Sequence, residues 1–391
     1  MRYAMLEPCR GFAALWVLSF HYVWSTSFVS HFPLLAQVAR RGDLGVAMFF
    51  VISGFCITAS ARSSIAKSEP VGGFLYRRAR RIYPPYWLSI AVVATIPFIM
   101  SAISSVKVHH YVPPDATNYN YGYIHFDFLH WLRIGTLAQV FASVPNATDL
   151  SYKFTDLNAV YWTLAIEVQF YAVVALALMY RKYFYSILIA VTAISIPFAL
   201  VSSTYMWGIF FSYWPMFAMG VLLYWLLERG HTPMKLFGGG AAAVSALAGA
   251  GLIAAFCVYT ASGGQTDRFL FSALFAVFLF FFFVFDEPAA RGADRYLITR
   301  GAMWLAMALG AMSYSLYLIH GRLIPLVAQV LRQVVPSNTL LYDAVLVTAT
   351  CTICYAFYWV CERPFATTRK KELSGAFEFS RRSSPDQEAC Q

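Results

Sequence analysis

The sequence predicts an all-α fold: a polytopic membrane bundle of about ten transmembrane helices. Three observations carry that expectation. Hydrophobic residues make up 59% of the 391 positions and charged residues 12%, where a soluble domain runs roughly 45–50% apolar and about 25% charged. Ten apolar runs are long enough to cross a bilayer, which takes ~20 residues each. The basic residues sit mostly between those runs instead of along one polar face. Soluble-enzyme and fibrous classes are excluded by this composition, and an aromatic share of 18% is the reverse of what disorder requires.

The runs are 11–29, 44–60, 84–106, 157–180, 184–202, 205–227, 238–260, 268–286, 302–332 and 340–361. Gly and Pro inside them are tolerated in membrane helices. The ninth is too long for one straight span, and Gly321 and Pro325 are the expected points of bending. Segment 128–142 is short and carries Arg133, which reads as re-entrant or interfacial. Glu7, Arg10 and His21 interrupt the first run and no small-residue cleavage site follows, so it is an uncleaved first helix and not a signal peptide. Residues 1–365 then form one membrane domain. The polar stretch 366–391 reads as a disordered cytoplasmic tail.

Charge sets the expected orientation. Lys and Arg number 29 against 19 Asp and Glu, a net +10. A basic balance can mean nucleic acid, but that needs a polar basic face, and no nucleic-acid partner is expected. With the N-terminus inside, 21 of the basic residues fall on cytoplasmic loops and eight outside, so both termini are expected in the cytoplasm. Arg40 and Arg41 are exceptions, on an outer loop.

Two features invite metal or redox readings, and neither is strong. Cys351 and Cys354 form a C-x-x-C without a second ligand pair, mid-span, which suits two residues on one helix. The outer region 107–156 holds His109, His110, His125 and His130 among several tyrosines, but spacing and carboxylate support for a metal are poor. An aromatic-rich membrane interface is the simpler reading. No metal site is expected.

Ionisable groups inside spans mark candidate chemistry, because burying them in lipid is costly. Arg10 and His21 are eleven residues apart, ~1100° of helix, and so share one face about 16 Å apart along the axis. Glu167, in WTLAIEVQFY, lies ~15 Å into the fourth run from the opposite side, at a depth similar to His21. A His beside a carboxylate can be held in one tautomer and made more basic, yet a polar pair also glues helices together. Spacing alone leaves both open. Arg77, Arg78, Arg80 and Arg81 crowd the mouth of the third run in FLYRRARRIYPPYW, suited either to phosphate recognition or to topological anchoring. SYSLYLIH ends at His320. Ser53–Gly54 in ISGF permits close helix approach.

Together LEPCRGFAALWVLSFH, LGVAMFFVISGFCI, FLYRRARRIYPPYW, WTLAIEVQFY and SYSLYLIH, in this order, resemble the acyltransferase-3 family of integral-membrane acyltransferases, over about residues 6–362. The resemblance implies a ten-span bundle, an acyl-CoA donor (most often acetyl-CoA) and no permanently bound cofactor. The family's first-helix Arg and His fall on Arg10 and His21. Its R-x-x-R pattern falls on Arg77 with Arg80 or on Arg78 with Arg81, and its glutamate on Glu167. Ala47 stands where many relatives carry an acidic residue. No appended esterase-like domain is expected.

The function so implied is transfer of an acyl group to a hydroxyl of a surface or exported polysaccharide, or of its lipid-linked precursor. His21 would be the general base and Glu167 its orienting partner. Arg10 and the Arg77–Arg81 cluster would hold the CoA phosphates, while His320, Tyr314 and Trp162 would meet substrate. Expected partners are the bilayer, acyl-CoA and a carbohydrate acceptor, with no oligomeric state specified. The alternative is a polytopic transporter of a glycan or small molecule, although no internal repeat supports it.

Overall fold

The computed structural model describes residues 5–23, 26, 31–114, 122–143, 150–201, 207–261, 268–285 and 297–366. The tail beyond 366, Tyr119 and Tyr121 lie outside these residues. Eleven principal helices follow in order among the described residues: α1 (Leu6–Tyr22), α2 (Leu44–Ala66), α3 (Val71–Val108), α4 (Trp162–Met179), α5 (Phe184–Leu200), α6 (Trp214–Glu228), α7 (Ala241–Ala261), α8 (Arg268–Phe282), α9 (Leu297–Ala311), α10 (Ser313–Leu331) and α11 (Leu340–Phe357). No strand occurs among the described residues. The fold is the expected all-α membrane bundle. Seven helical segments among them are long and apolar enough to cross a bilayer. Of the other expected spans, α1 has 17 residues and α6 and α8 have 15 each.

Lipid, not protein, covers much of this surface. Segment Arg181–Leu200 is predominantly apolar, but only 22% of its window is buried inside the protein. Its Ile189, Ile194 and Leu200 face outward, as apolar side chains do when the solvent is hydrocarbon.

At the centre, α2 packs against α1, α4, α6 and α8. Its crossing with α6 is very close, and glycine makes it so. A Cβ on Gly54 would run into the Phe217 carbonyl oxygen, and one on Gly220 into that of Val51. Small residues that let backbones approach are the common device of helix packing in membranes. Around this crossing Phe50, Phe170, Trp214 and Phe217 form an aromatic core.

Two boundaries differ from the sequence expectation, and a third segment agrees with it. The third helix begins at Val71 and not at 84, so all four arginines and Pro84 and Pro85 lie within it. Proline removes a backbone donor and crowds the preceding turn. A neighbouring helix braces the turn before them: the Tyr314 hydroxyl donates to the Ile82 carbonyl at 2.9 Å. The ninth run breaks at Met312, not at Gly321 or Pro325, which both lie inside the unbroken α10. The cause is Glu362, whose Oε2 accepts from the Ser315 backbone N–H at 3.0 Å and from Ser315 Oγ at 2.6 Å. A carboxylate at this position satisfies an orphan donor and suits the positive end of a helix. Segment 128–142 contains the helix Phe128–Gly135, eight residues long, too short to span. It is tied down where Tyr86 Oη donates to the Ile134 carbonyl at 2.8 Å and Trp87 Nε1 to that of Gly135 at 2.9 Å.

Candidate active site

The periodicity of α2 builds one wall of a cavity. Val46, Phe49, Phe50, Ser53, Cys56 and Ile57 recur three or four residues apart and so line one face. Thr163, Glu167 and Tyr171, each four apart on α4, supply a second wall. Arg78, Arg81 and Ile82 of α3, Ser313, Tyr314 and Tyr317 of α10, and Arg10 of α1, with Ile52 of α2 and Leu164 of α4, complete the lining. The cavity is open on one side, and the space between its walls, open mouth included, is about 790 Å³.

Charge in this cavity is unbalanced. Arg10, Arg78 and Arg81 face a single carboxylate, Glu167, among the lining residues. Glu167 Oε1 accepts from Ser53 Oγ at 2.7 Å and from Tyr171 Oη at 2.6 Å. Arg10 also reaches Glu7 at 3.5 Å. The Arg78 guanidinium lies 5.6 Å from the Phe74 ring and 5.8 Å from the Tyr171 ring, a contact that holds a cation without neutralising it. The surplus positive charge and the planar donor forks are what a phosphate-bearing ligand requires.

The four consecutive-looking arginines divide into two faces. Residues three apart share a face and adjacent residues sit ~100° apart. Arg78 and Arg81 enter the cavity, whereas Arg77 forks onto both carboxylate oxygens of Glu69 and reaches Ser64 Oγ at 3.0 Å. That hydrogen bonding holds the Glu69 carboxyl below the ordinary carboxylate range. Arg80 is exposed and lines no part of the cavity. Of the two registers open in the sequence, the cavity takes Arg78 with Arg81.

The expected pairing of His21 with Glu167 is not formed. Glu167 is engaged by Ser53 and Tyr171, and the His21 ring lies instead 5.0 Å from the ring of His320. Equal depth did not mean adjacency. Helix rise gives height in the membrane, but α1 packs on α2, α9 and α10, whereas α4 packs on α2, α3 and α5. The partner is therefore set by which helices neighbour which.

His320 is fully buried. Its Nδ1 lies 2.9 Å from the carbonyls of both Leu316 and Tyr317. Carbonyls only accept, so Nδ1 carries the proton and donates, and the lone pair of the neutral ring is on Nε2. That atom has no hydrogen-bond partner among the described residues. A buried acceptor left unsatisfied costs about 1–3 kcal/mol. One turn before it, Tyr317 joins the histidine pair to the cavity. Its ring is 5.9 Å from that of His320 and lines the cavity wall. Its hydroxyl donates to the Val160 carbonyl at 3.0 Å and accepts from Thr163 Oγ1 at 2.7 Å.

Of the other residues singled out in the sequence, Tyr314 lines the cavity. Trp162 does not; its ring packs on Tyr213 at 5.2 Å and on Phe50 at 6.5 Å. Cys56 and Tyr171 are lining residues the sequence reading did not expect at the site, and Ser53 and Tyr317, noted there only for helix packing and polar pairing, line it too. Tyr171 had a signal, because it falls four residues after Glu167 and so on its face. In the outer region, His130 stacks on Phe126 at 3.5 Å. Cys351 and Cys354 are free thiols on α11.

Residues 6–359 match the acyltransferase domain family. The chain belongs to the acyltransferase-3 family. Every residue of the cavity and both histidines fall inside the matched acyltransferase-3 region, and Glu362 lies just beyond it. Nodulation protein 10 of Rhizobium leguminosarum bv. viciae is similar, 28% identical over 131 residues that cover 32% of this chain and 30% of that protein. The matched stretch is thus about a third of the length of the curated relative. No solved structure matches.

Proposed function

We propose that this protein transfers an acyl group, in the simplest case acetyl, from acyl-CoA to a hydroxyl of a surface or exported polysaccharide or of its lipid-linked precursor. The observation that carries the reading is the cationic cavity of Arg10, Arg78 and Arg81, which runs between α2, α3, α4 and α10 to Tyr317, one turn short of the His21–His320 pair. The phosphates of CoA would sit on the arginine forks. The thioester would extend toward Tyr317 and the histidines. His21 would take the proton of the acceptor hydroxyl as its oxygen attacks the thioester carbonyl. A C–O ester bond forms, the C–S bond breaks, and the proton passes on to the departing CoA thiolate. Such a base is worth typically ~10²–10⁴-fold in rate.

The charge distribution in the sequence supports an arrangement in which the arginine mouth and both termini face the cytoplasm, where acyl-CoA is made, with the histidine end toward the acceptor. The test is transfer itself. Purified protein in liposomes, given radiolabelled acetyl-CoA and an envelope glycan fraction, should release free CoA thiol and move label into glycan. A transporter would consume no thioester, and that outcome would replace this reading.

A further inference from the structure

We infer that His320, not Glu167, is the positioning residue for His21, and that it acts through the lone pair on Nε2. The inference rests on the acyl-transfer reading above and assigns His21 its partner within that reaction.

Four observations converge. The two rings are 5.0 Å apart. The tautomer of His320 is set by its own helix, because two backbone carbonyls both require a donor at Nδ1. The ring is fully buried and its Nε2 has no partner among the described residues. Nδ1 is turned back onto α10, so Nε2 lies on the ring edge away from that helix. The nearest imidazole to that ring belongs to α1, which packs against α10.

Such a ring is preorganised to accept one hydrogen bond. The ring of His21 can supply it: a neutral imidazole has one N–H to give and one lone pair to use elsewhere. With its N–H donated to His320 Nε2, His21 keeps its lone pair for the acceptor hydroxyl. When His21 takes that proton, the N–H facing His320 becomes charge-assisted and strengthens. No bond to His320 forms or breaks. A carboxylate would do the same work with a full charge, but the carboxylate of Glu167 is committed to Ser53 and Tyr171. Neither histidine lines the cavity, but His320 has no exposed surface whereas His21 is partly exposed, so His320 acts through His21 and does not meet the donor.

Two substitutions separate the lone pair from packing. In His320→Asn the side-chain amide N–H remains able to serve the Leu316 and Tyr317 carbonyls, but nothing reaches the Nε2 position. In His320→Gln the longer amide places an oxygen acceptor near that position. Inverted vesicles containing parent or variant protein receive radiolabelled acetyl-CoA, and label in glycan is counted. His320→Asn should lower kcat by ~10²-fold, within the range for a disabled base, with KM for acetyl-CoA unchanged. His320→Gln should lose only ~10-fold. Equal losses in the two variants mean that the residue is packing, and overturn the inference. Full activity in His320→Asn beside an inactive His21→Ala also overturns it while leaving the acyltransferase reading intact. If the parent moves no label, that reading fails and this one with it. If His320→Asn does not fold, His320→Gln decides: activity well above that of His21→Ala with unchanged donor KM supports the lone pair, and activity no better than His21→Ala overturns it.

Discussion

Arg77 and Arg78 are consecutive residues on one helix whose guanidinium groups serve different ends. Arg77 is forked onto Glu69 at the entrance of α3, and Arg78 lines the cavity opposite Glu167. A helical step of ~100° per residue is enough to separate them. Arg80 and Arg81 repeat the division one turn later, and it leads directly to a binding prediction.

Arg78→Ala combined with Arg81→Ala should weaken CoA binding at least ~10-fold, since each charged hydrogen bond is worth about 1.5–3 kcal/mol. Arg77→Ala combined with Arg80→Ala should stay within about threefold of the parent, as expected for exposed charges in high dielectric. Titration calorimetry with CoA on purified protein checks both pairs, and added salt should weaken parental binding. Equal losses from the two pairs would show that the cluster acts as a diffuse field and not through two specific forks.

Glu167 belongs to the donor cavity, so its effect should be independent of His21. Glu167→Gln should change CoA affinity by the same factor in the parent and in His21→Ala, additive within about 0.5 kcal/mol, as residues without a shared contact are. A double-mutant cycle on CoA affinity measures this. A coupling well above that margin would restore a direct His21–Glu167 link.

The α2–α6 crossing has no room for a side chain. Gly54→Leu or Gly220→Leu should destabilise the bundle by more than the ~1–3 kcal/mol usual for overpacking, because the obstruction is a carbonyl oxygen of the facing helix. Gly72→Ala, where a Cβ meets nothing within 4 Å, is the control. Thermal unfolding in detergent should separate the two classes by many degrees.

Glu362→Ala should cost about 1–3 kcal/mol, since it strands the buried N–H and hydroxyl of Ser315 at the start of α10. Glu362→Gln, which keeps an acceptor oxygen, should recover most of the loss. The same thermal assay reads it, and a silent Glu362→Ala would mean that the break at Met312 has another cause.

The membrane topology can be read at two exposed positions flanking α3. That helix has 38 residues, ~57 Å at 1.5 Å per residue, ample to cross a bilayer. Ser68→Cys and Tyr111→Cys should therefore react with an impermeant thiol reagent from opposite sides of sealed vesicles, Ser68→Cys from the cytoplasmic side. Labelling of both from one side would break the ten-span map.

The sequence by itself determined the class of this protein and singled out most of the residues proposed to work in it. Apolar runs are a one-dimensional property, and a bilayer reads them one segment at a time, so an all-α membrane fold follows without knowledge of packing. Arg10, His21, the arginine cluster and Glu167 stood out for the same reason, as charges that lipid does not tolerate without cause. Helical periodicity also carries the shared face of Thr163, Glu167 and Tyr171, a signal the sequence reading left unused. Only the tertiary structure decided which faces meet. Two residues at one depth can be on neighbouring or on separated helices, and depth is all that rise per residue supplies. The order of helices around α2 put Glu167 with Ser53 and Tyr171, put His21 with His320, and chose Arg78 and Arg81 over Arg77 and Arg80. The same holds for the break at Met312: Gly321 and Pro325 are the local breakers, but the group that ends one helix and starts the next is Glu362, 47 residues beyond Ser315 in the chain. Contacts of that kind are set by packing between distant segments, and no local pattern in the sequence encodes them.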